Sequence, residues 1–237
     1  MQIANEVQTP VKNIVLVHGA WADGSNWLKV IPKLEAKGFH VTAVQNPLTS
    51  LADDVATTRR AIALEEGPVL LVGHSYGGVV ITEAGDDFKV SGLVYVAAFA
   101  PDLGESSLSL NRTVAPTPES FEMRTDPAGF VKITSKGIME DYAQDLSEAE
   151  LRNLVATQGP TSMNAIDAPV TITSWKSKPC WYIVATDDRA ILPELQVTMS
   201  KRIEAVTISI AASHAVMLSH PDEVASFIAR AAAGQNA

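Results

Sequence analysis

The chain has 237 residues, of which 46% are hydrophobic and 19% charged, and its formal net charge is −9 at pH 7. This length and composition favour one globular domain and exclude a disordered or fibrous chain. The acidic balance argues against a nucleic-acid partner, because nucleic-acid binding depends largely on Lys and Arg side chains that neutralise phosphates.

The N-terminal segment and the cysteine content indicate where the protein resides. Residues 1–13 lack the basic start and the apolar stretch of a signal peptide, and no apolar run approaches the length of a membrane span. Cys180 is the only cysteine, which excludes an internal disulfide. We therefore expect a cytoplasmic protein with no membrane partner.

Short apolar runs rich in β-branched residues predict six buried parallel strands. These runs are residues 14–18, 41–44, 69–73, 93–97, 181–186 and 206–210. Segments with helical spacing separate them; one ends at Gly38, and another begins at Ser50, a favoured N-cap residue. Strands that alternate with helices predict an α/β fold with a doubly wound, mainly parallel sheet.

The alternation stops between residues 102 and 179, where several prolines punctuate a polar stretch without a clear strand. We expect this stretch, called the lid segment below, to be a small lid inserted into a core formed by residues 1–101 and 180–237. Ser147 followed by Glu150 predicts a capped helix within it. The lid segment contains too many large apolar side chains to remain a disordered linker.

A glycine-rich turn follows the third predicted strand and precedes a helical stretch. Gly73-His74-Ser75-Tyr76-Gly77-Gly78 matches the G-x-S-x-G pattern of a nucleophile elbow in its strand-turn-helix setting. Such a turn holds the serine in a strained conformation, with its hydroxyl above the sheet and close to the N-terminus of the next helix. The motif predicts Ser75 as a nucleophile.

A serine nucleophile needs a base, and the base needs an acid that orients it. In this fold the acid and then the histidine follow the serine, on loops at the carboxyl ends of the last strands. Asp187 and Asp188 follow the fifth predicted strand, and His214 follows the sixth. The pattern predicts His214 as the base, favours Asp188 as the acid and leaves Asp187 as a competitor.

A second glycine turn, His18-Gly19-Ala20-Trp21, follows the first predicted strand. A turn at that edge of the sheet can direct a backbone N–H into the site. Together with the N–H of the residue after the nucleophile, it would form an oxyanion hole from Ala20 and Tyr76.

With these motifs in place, the sequence resembles the α/β-hydrolase superfamily, and within it the branch of plant methylesterases, hydroxynitrile lyases and small bacterial carboxylesterases. The resemblance covers nearly the whole chain and rests on IVLVHGAW, VGHSYGG, YIVATDDRAILP and SHAVMLSHP. It implies Asp188 as the acid, because that branch uses the second acidic residue before the basic position. It likewise implies His214, which precedes Met217 and Leu218, as the base.

The resemblance also bears on the reaction. The best-known hydroxynitrile lyases of this branch carry Thr after the first-motif His and Lys after the catalytic His, whereas this chain has Gly19 and Ala215. We therefore expect hydrolysis of small, apolar carboxylic esters through an acyl-enzyme, with no metal and no cofactor. An amidase, a lactonase, other chemistry on this scaffold and a slow-turnover ligand receptor remain alternatives.

A small-molecule ester is the expected partner of the site, and we expect a monomer or a homodimer. The side chains predicted to contact the substrate are large and apolar and lie near the motifs or in the lid segment: Trp21, Phe121, Met139, Tyr142, Trp175 and Met217.

Overall fold

Six parallel strands form the main sheet in the computed structural model, which describes residues 11–235. In chain order they are β1 (Asn13–Val17), β2 (His40–Ala43), β3 (Val69–His74), β4 (Val90–Val96), β8 (Cys180–Ala185) and β9 (Val206–Ile210). They lie in the order β2-β1-β3-β4-β8-β9. The predicted α/β fold is confirmed, and each predicted strand lies within three residues of an observed one.

Side chains of the central strands alternate between two hydrophobic clusters, one on each face of the sheet. In β1, Ile14 and Leu16 pack into one cluster, and Val15 and Val17 pack into the other. All five residues of β1 are buried, which explains why Ile14–Val17 form a continuous apolar run rather than an alternating pattern.

Helices cover both faces of the sheet. They are α1 (Ile31–Glu35), α2 (Leu51–Leu64), α3 (Gly77–Ala84), α4 (Ser107–Asn111), α5 (Ser135–Gly137), α6 (Glu148–Thr157), α7 (Met163–Ile166), α8 (Pro193–Arg202), α9 (Val216–Ser219) and α10 (Pro221–Ala232). The predicted N-cap of α2 is present, since Ser50 Oγ accepts a hydrogen bond from Asp53 N–H at 3.1 Å. The predicted stop at Gly38 is also present, with φ of +86°.

The lid segment contains strands that the sequence analysis did not predict. They are β5 (Met123–Thr125), β6 (Phe130–Ile133) and β7 (Thr161–Ser162), which pair as an antiparallel sheet. These strands are two to four residues long, too short for alternation to stand out from the surrounding polar sequence. The capping box that opens α6 is as predicted, with Ser147 N–H donating to Glu150 Oε2 at 3.0 Å.

The lid segment packs onto one face of the main sheet. Val131, Ile133 and Tyr142 belong to the same buried cluster as Leu51 of α2 and Val79 of α3. Within residues 11–235, no helix combines the length and the apolar character needed to cross a bilayer. The prediction that a signal peptide is absent rests on residues 1–13, and residues 1–10 of that segment lie outside the described part of the chain.

Candidate active site

Ser75 occupies a sharp turn between β3 and α3. Its φ of +54° lies in the left-handed region, which costs energy for a non-glycine residue and persists only when the surroundings enforce it. The surrounding packing requires glycine at two positions. A Cβ on Gly73 would lie 2.6 Å from Gly77 O, and a Cβ on Gly77 would lie 2.5 Å from Val17 O. The turn therefore has the geometry of a nucleophile elbow.

Asp188 and His214 form a buried hydrogen-bonded pair at the carboxyl ends of β8 and β9. His214 Nδ1 donates to Asp188 Oδ2 at 2.7 Å, and both side chains are almost fully buried. This bond determines the imidazole tautomer and leaves Nε2 free to act on a substrate or nucleophile. By contrast, Asp187 is exposed, and its backbone carbonyl accepts from Gln144 Nε2 at 2.7 Å.

Each carboxylate oxygen of Asp188 accepts two hydrogen bonds. Oδ1 accepts from the backbone N–H groups of Ala190 and Ile191 at 2.8 and 2.9 Å. Oδ2 accepts from Gln196 Nε2 at 2.7 Å in addition to His214. Gln196 is fully buried and its Oε1 accepts from Ala185 N–H at 3.0 Å, so its amide cannot rotate without loss of hydrogen bonds. Gln196 was not predicted; its helical position on α8 carries no sequence signal of this role.

The loop that carries His214 is held from two sides. His74 Nε2 donates to the backbone carbonyl of His214 at 3.0 Å, and the two rings lie 4.7 Å apart. Burial and the neighbouring His214 lower the pKa of His74 well below its usual value, so His74 is neutral. On the other side, Ser213 N–H donates to Asp145 Oδ2 of the lid segment at 2.9 Å.

Ala20 and Tyr76 are the two residues predicted to supply an oxyanion hole. Both residues line the same cavity as Ser75, and neither N–H donates a hydrogen bond to another residue in the described part of the chain. The Tyr76 hydroxyl donates to Asp54 Oδ2 at 2.8 Å, which anchors the residue after the serine. Burial raises the pKa of Asp54 to about 6.

A cavity of about 70 Å³ connects Ser75 to His214. Its other walls are mostly apolar and come from the turns after β1 and β3, the loops after β4 and β8, α4, the 3-10 helix at residues 119–122, β5 and α7. The residues are Ala20, Trp21, Tyr76, Phe99, Ser107, Leu108, Asn111, Glu119, Met123, Met163, Ile166, Ala190 and Ile191. A larger open groove of about 740 Å³ runs along α2, but neither Ser75 nor His214 lines it.

Of the six predicted substrate contacts, the structure brings only Trp21 to this cavity. Phe121 is 70% exposed, and Trp175 donates from Nε1 to Pro101 O at 2.8 Å, away from the cavity. Met217 is fully buried in the cluster beneath α10, and Met139 is half-buried off the cavity wall. These four residues therefore lie away from the cavity at Ser75: the sequence could not specify the direction of the lid-segment side chains, and Met217 packs into the core instead.

Tyr142 occupies an intermediate position. Its ring centroid lies 5.0 Å from that of His214, but the residue lines a neighbouring small cavity rather than the one at Ser75. Glu119, by contrast, was not predicted and lines the cavity at Ser75.

Within residues 11–235, no group of three or more His, Cys, Asp and Glu side chains is arranged to hold a metal ion.

The parallel sheet, the strained serine turn and the acid-histidine pair at its edge define the class of an α/β hydrolase. A family model described as "Alpha/beta hydrolase family" matches residues 14–227. The chain therefore belongs to the alpha/beta hydrolase family, and the predicted resemblance is confirmed.

Relatives within the family fall in the methylesterase-like branch. Methylesterase 8 of Arabidopsis thaliana is 32% identical, over 78% of this chain and 75% of its own length. Salicylic acid-binding protein 2 of Nicotiana tabacum is 29% identical, over 90% of this chain and 94% of its own. A crystal structure of a histidine variant of the hydrolase PytH superposes with a TM-score of 0.81 at 25% identity, covering 94% of this chain and 98% of that one.

Proposed function

We propose that this protein hydrolyses carboxylic esters through an acyl-enzyme formed on Ser75, with His214 as general base and Asp188 as the acid that orients it. The observation that carries the proposal is the buried pair of Asp188 and His214, which reaches the same cavity as the strained Ser75. Esterases among the relatives support the same reaction class.

The reaction follows from the placement of these groups. Ser75 Oγ attacks the ester carbonyl carbon while His214 Nε2 takes the hydroxyl proton. The imidazolium that forms is stabilised by the side chain of Asp188, which accepts the hydrogen bond from His214 Nδ1. His214 then protonates the leaving alcohol, and the C–O bond to it breaks. Water, deprotonated by His214, attacks the acyl-enzyme and releases the acid and a free Ser75.

Charge that develops on the carbonyl oxygen needs donors that are already in place. The free backbone N–H groups of Ala20 and Tyr76 support their assignment as this oxyanion hole. Donors that are fixed before the reaction stabilise the tetrahedral intermediate without reorganisation, and loss of one typically costs about 10²-fold in kcat or more. The hydrogen bond from Tyr76 to Asp54 restrains one of the two donors.

The cavity supports a preference for small acyl or alcohol groups. Its volume of about 70 Å³ and the side chains of Leu108, Met163 and Ile191 favour short apolar groups over long chains. The natural substrate is therefore proposed to be a small-molecule ester. Cytoplasmic residence and a monomeric or homodimeric state stay predictions.

The test is hydrolysis of p-nitrophenyl acetate and butyrate by the wild type and by Ser75→Ala, His214→Ala and Ser226→Ala. Ser226 is exposed on α10 and serves as the matched control. We expect the first two variants to lose at least about 10³-fold in kcat/KM and the control to match the wild type. Mass spectrometry after treatment with a phosphonate should detect one adduct, on Ser75.

Two results would contradict the proposal in different ways. Full activity of Ser75→Ala would exclude this serine as the nucleophile. A phosphonate adduct on Ser75 without turnover of either ester would retain the nucleophile and exclude ester hydrolysis, leaving a ligand receptor or another reaction of this scaffold.

A further inference from the structure

Glu119 is a buried carboxyl on the wall of the cavity that contains Ser75 and His214. It follows Pro118 and begins a short 3-10 helix, Glu119–Glu122, in the lid segment. Only 2% of the residue is exposed, and the proposed mechanism gives it no role. A carboxylate at a buried position requires a hydrogen-bond donor or a cation beside it, because burial of an unpaired carboxylate is costly.

The described chain supplies no such partner. Glu119 Oε1 has no hydrogen-bond partner among residues 11–235. Arg189 accepts from Glu119 N–H only through its backbone carbonyl, at 3.5 Å, and its guanidinium donates to Glu140 O at 3.0 Å and lies 3.6 Å from Asp141 Oδ1. None of the described residues that line the cavity is Lys or Arg. Glu119 thus lies on the cavity wall, with Oε1 enclosed and without a donor among the described residues.

The electrostatic surroundings of Glu119 favour a cation. Burial, together with the negative charges of Asp188 and Asp141, raises the pKa of Glu119 to about 8. A cation bound in the cavity would relieve this penalty and stabilise the ionised form. The cavity is therefore complementary to a positive charge, in a chain whose net charge of −9 also attracts cations.

We propose that Glu119 binds a protonated amine of the substrate, so that the preferred esters carry a basic nitrogen. This inference rests on the proposed ester hydrolysis at Ser75. A bound ammonium group donates to the carboxylate that otherwise lacks a donor, while the apolar walls accept the carbon chain between the amine and the ester. Glu119 thereby selects among esters and takes no part in bond cleavage.

A matched pair of substrates tests the preference directly. One is the methyl ester of γ-(dimethylamino)butyric acid, and the other is its carbon isostere, in which CH replaces the nitrogen. We expect the wild type to hydrolyse the amino ester with a kcat/KM about 10- to 100-fold higher at neutral pH, as for a charge-assisted contact in a cavity. Methanol release measures both reactions.

Two variants assign that preference to one carboxyl. Glu119→Gln keeps the size of the side chain but cannot ionise, so we expect it to abolish the preference for the amino ester over its carbon isostere. Glu140→Gln removes the same charge from an exposed position of the lid segment and should leave the preference intact. If only Glu119→Gln abolishes the preference, the preference comes from direct contact with Glu119 and not from the long-range electrostatic field of the acidic side chains.

The outcomes distinguish this inference from the proposed function. Equal hydrolysis of both esters by the wild type, or a preference that Glu119→Gln retains, overturns the role of Glu119 while ester hydrolysis stands. Hydrolysis of neither ester, with Ser75→Ala indistinguishable from the wild type, overturns the proposed function and the inference with it. A circular dichroism spectrum of Glu119→Gln that differs from the wild type would overturn its assignment as a purely selective residue.

Discussion

The loop after β8 and the short helix at Glu119–Glu122 each bury a carboxyl next to the same cavity, but they surround it differently. Asp188 accepts four hydrogen bonds from Ala190, Ile191, Gln196 and His214. Glu119 Oε1 accepts none from the described residues, and the pKa of Glu119 rises to about 8. Burial alone therefore does not define the role of a carboxyl: hydrogen-bond donors orient Asp188, whereas Glu119 Oε1 has no donor among the described residues.

The largest expected effect separates Asp188 from its neighbour Asp187. Asp188→Asn should lower kcat by about 10⁴-fold, or about 5 kcal/mol, because an amide no longer holds His214 in the tautomer that presents Nε2 as a base. Asp187→Asn changes an exposed side chain and should keep activity within about twofold. Steady-state kinetics with p-nitrophenyl acetate measure kcat for both variants. Comparable decreases in kcat would refute the assignment of Asp188.

The next prediction concerns the pH dependence of stability at Glu119. The folded-state pKa of about 8 lies above the ordinary value of 4.5, so the folded protein binds the proton more tightly than the unfolded chain. The resulting stability is complete below pH about 4.5 and is lost as the pH rises toward about 8. The free energy of unfolding of the wild type, relative to Glu119→Gln, should therefore fall by about 2–4 kcal/mol between these limits.

Urea denaturation of both proteins across this pH range measures that difference. Parallel pH profiles for the two proteins would show that Glu119 is not held in its neutral form. Addition of a methylammonium salt at high pH should narrow the difference, since a ligand that binds only the folded protein stabilises it.

A substitution of Gln196 tests whether kcat depends on the hydrogen-bond donors around Asp188. Gln196→Met removes the donor to Asp188 Oδ2 and the acceptor for Ala185 N–H, so we expect kcat to fall by about 10- to 100-fold with KM within about twofold. Gln144→Met on the lid segment is the matched control, because Gln144 contacts only the carbonyl of Asp187 among these loop residues. A rise in KM with unchanged kcat would instead indicate a role in substrate binding.

The smallest expected effect is at the contact between the lid segment and the histidine loop. Asp145→Ala removes the acceptor for both Ser213 N–H and Ser213 Oγ–H and should lower kcat/KM by about two- to tenfold, in the range of part-buried hydrogen bonds. Measurement at several temperatures is informative, because a loosened loop should lose relatively more activity on warming. An unchanged rate would show that His74 alone is enough to hold His214.

Local pattern was sufficient for much of the site. The strained turn at Ser75 needs glycines at fixed positions, and those glycines are visible as a motif. His214 and Asp188 were predicted because parallel strands end at one edge, so residues that follow β8 and β9 must meet there. The choice of Asp188 over Asp187 rests on the family resemblance; in the structure, Asp188 is hydrogen-bonded to His214.

The remaining contacts depend on long-range packing that no local pattern encodes. Glu119 and Asp54 are ordinary polar residues in the sequence, and each gains neighbours from segments far away in the chain. Gln196 contacts Asp188, eight residues earlier, but only the folded loop between β8 and α8 brings the two side chains together. The same holds for Phe121 and Trp175, whose apolar character predicted burial near the substrate without specifying a direction. Their side chains face solvent and the Pro101 carbonyl instead.

The sequence by itself therefore determined the parallel sheet, the nucleophile turn and the chain order of acid and base, because these follow from strand periodicity and from the steric needs of glycine. Only the tertiary structure decided the walls of the cavity. Those walls come from the lid segment, whose strands are two to four residues long and whose side chains acquire a direction only when they pack onto the sheet. The unpartnered carboxyl of Glu119 is a product of that packing.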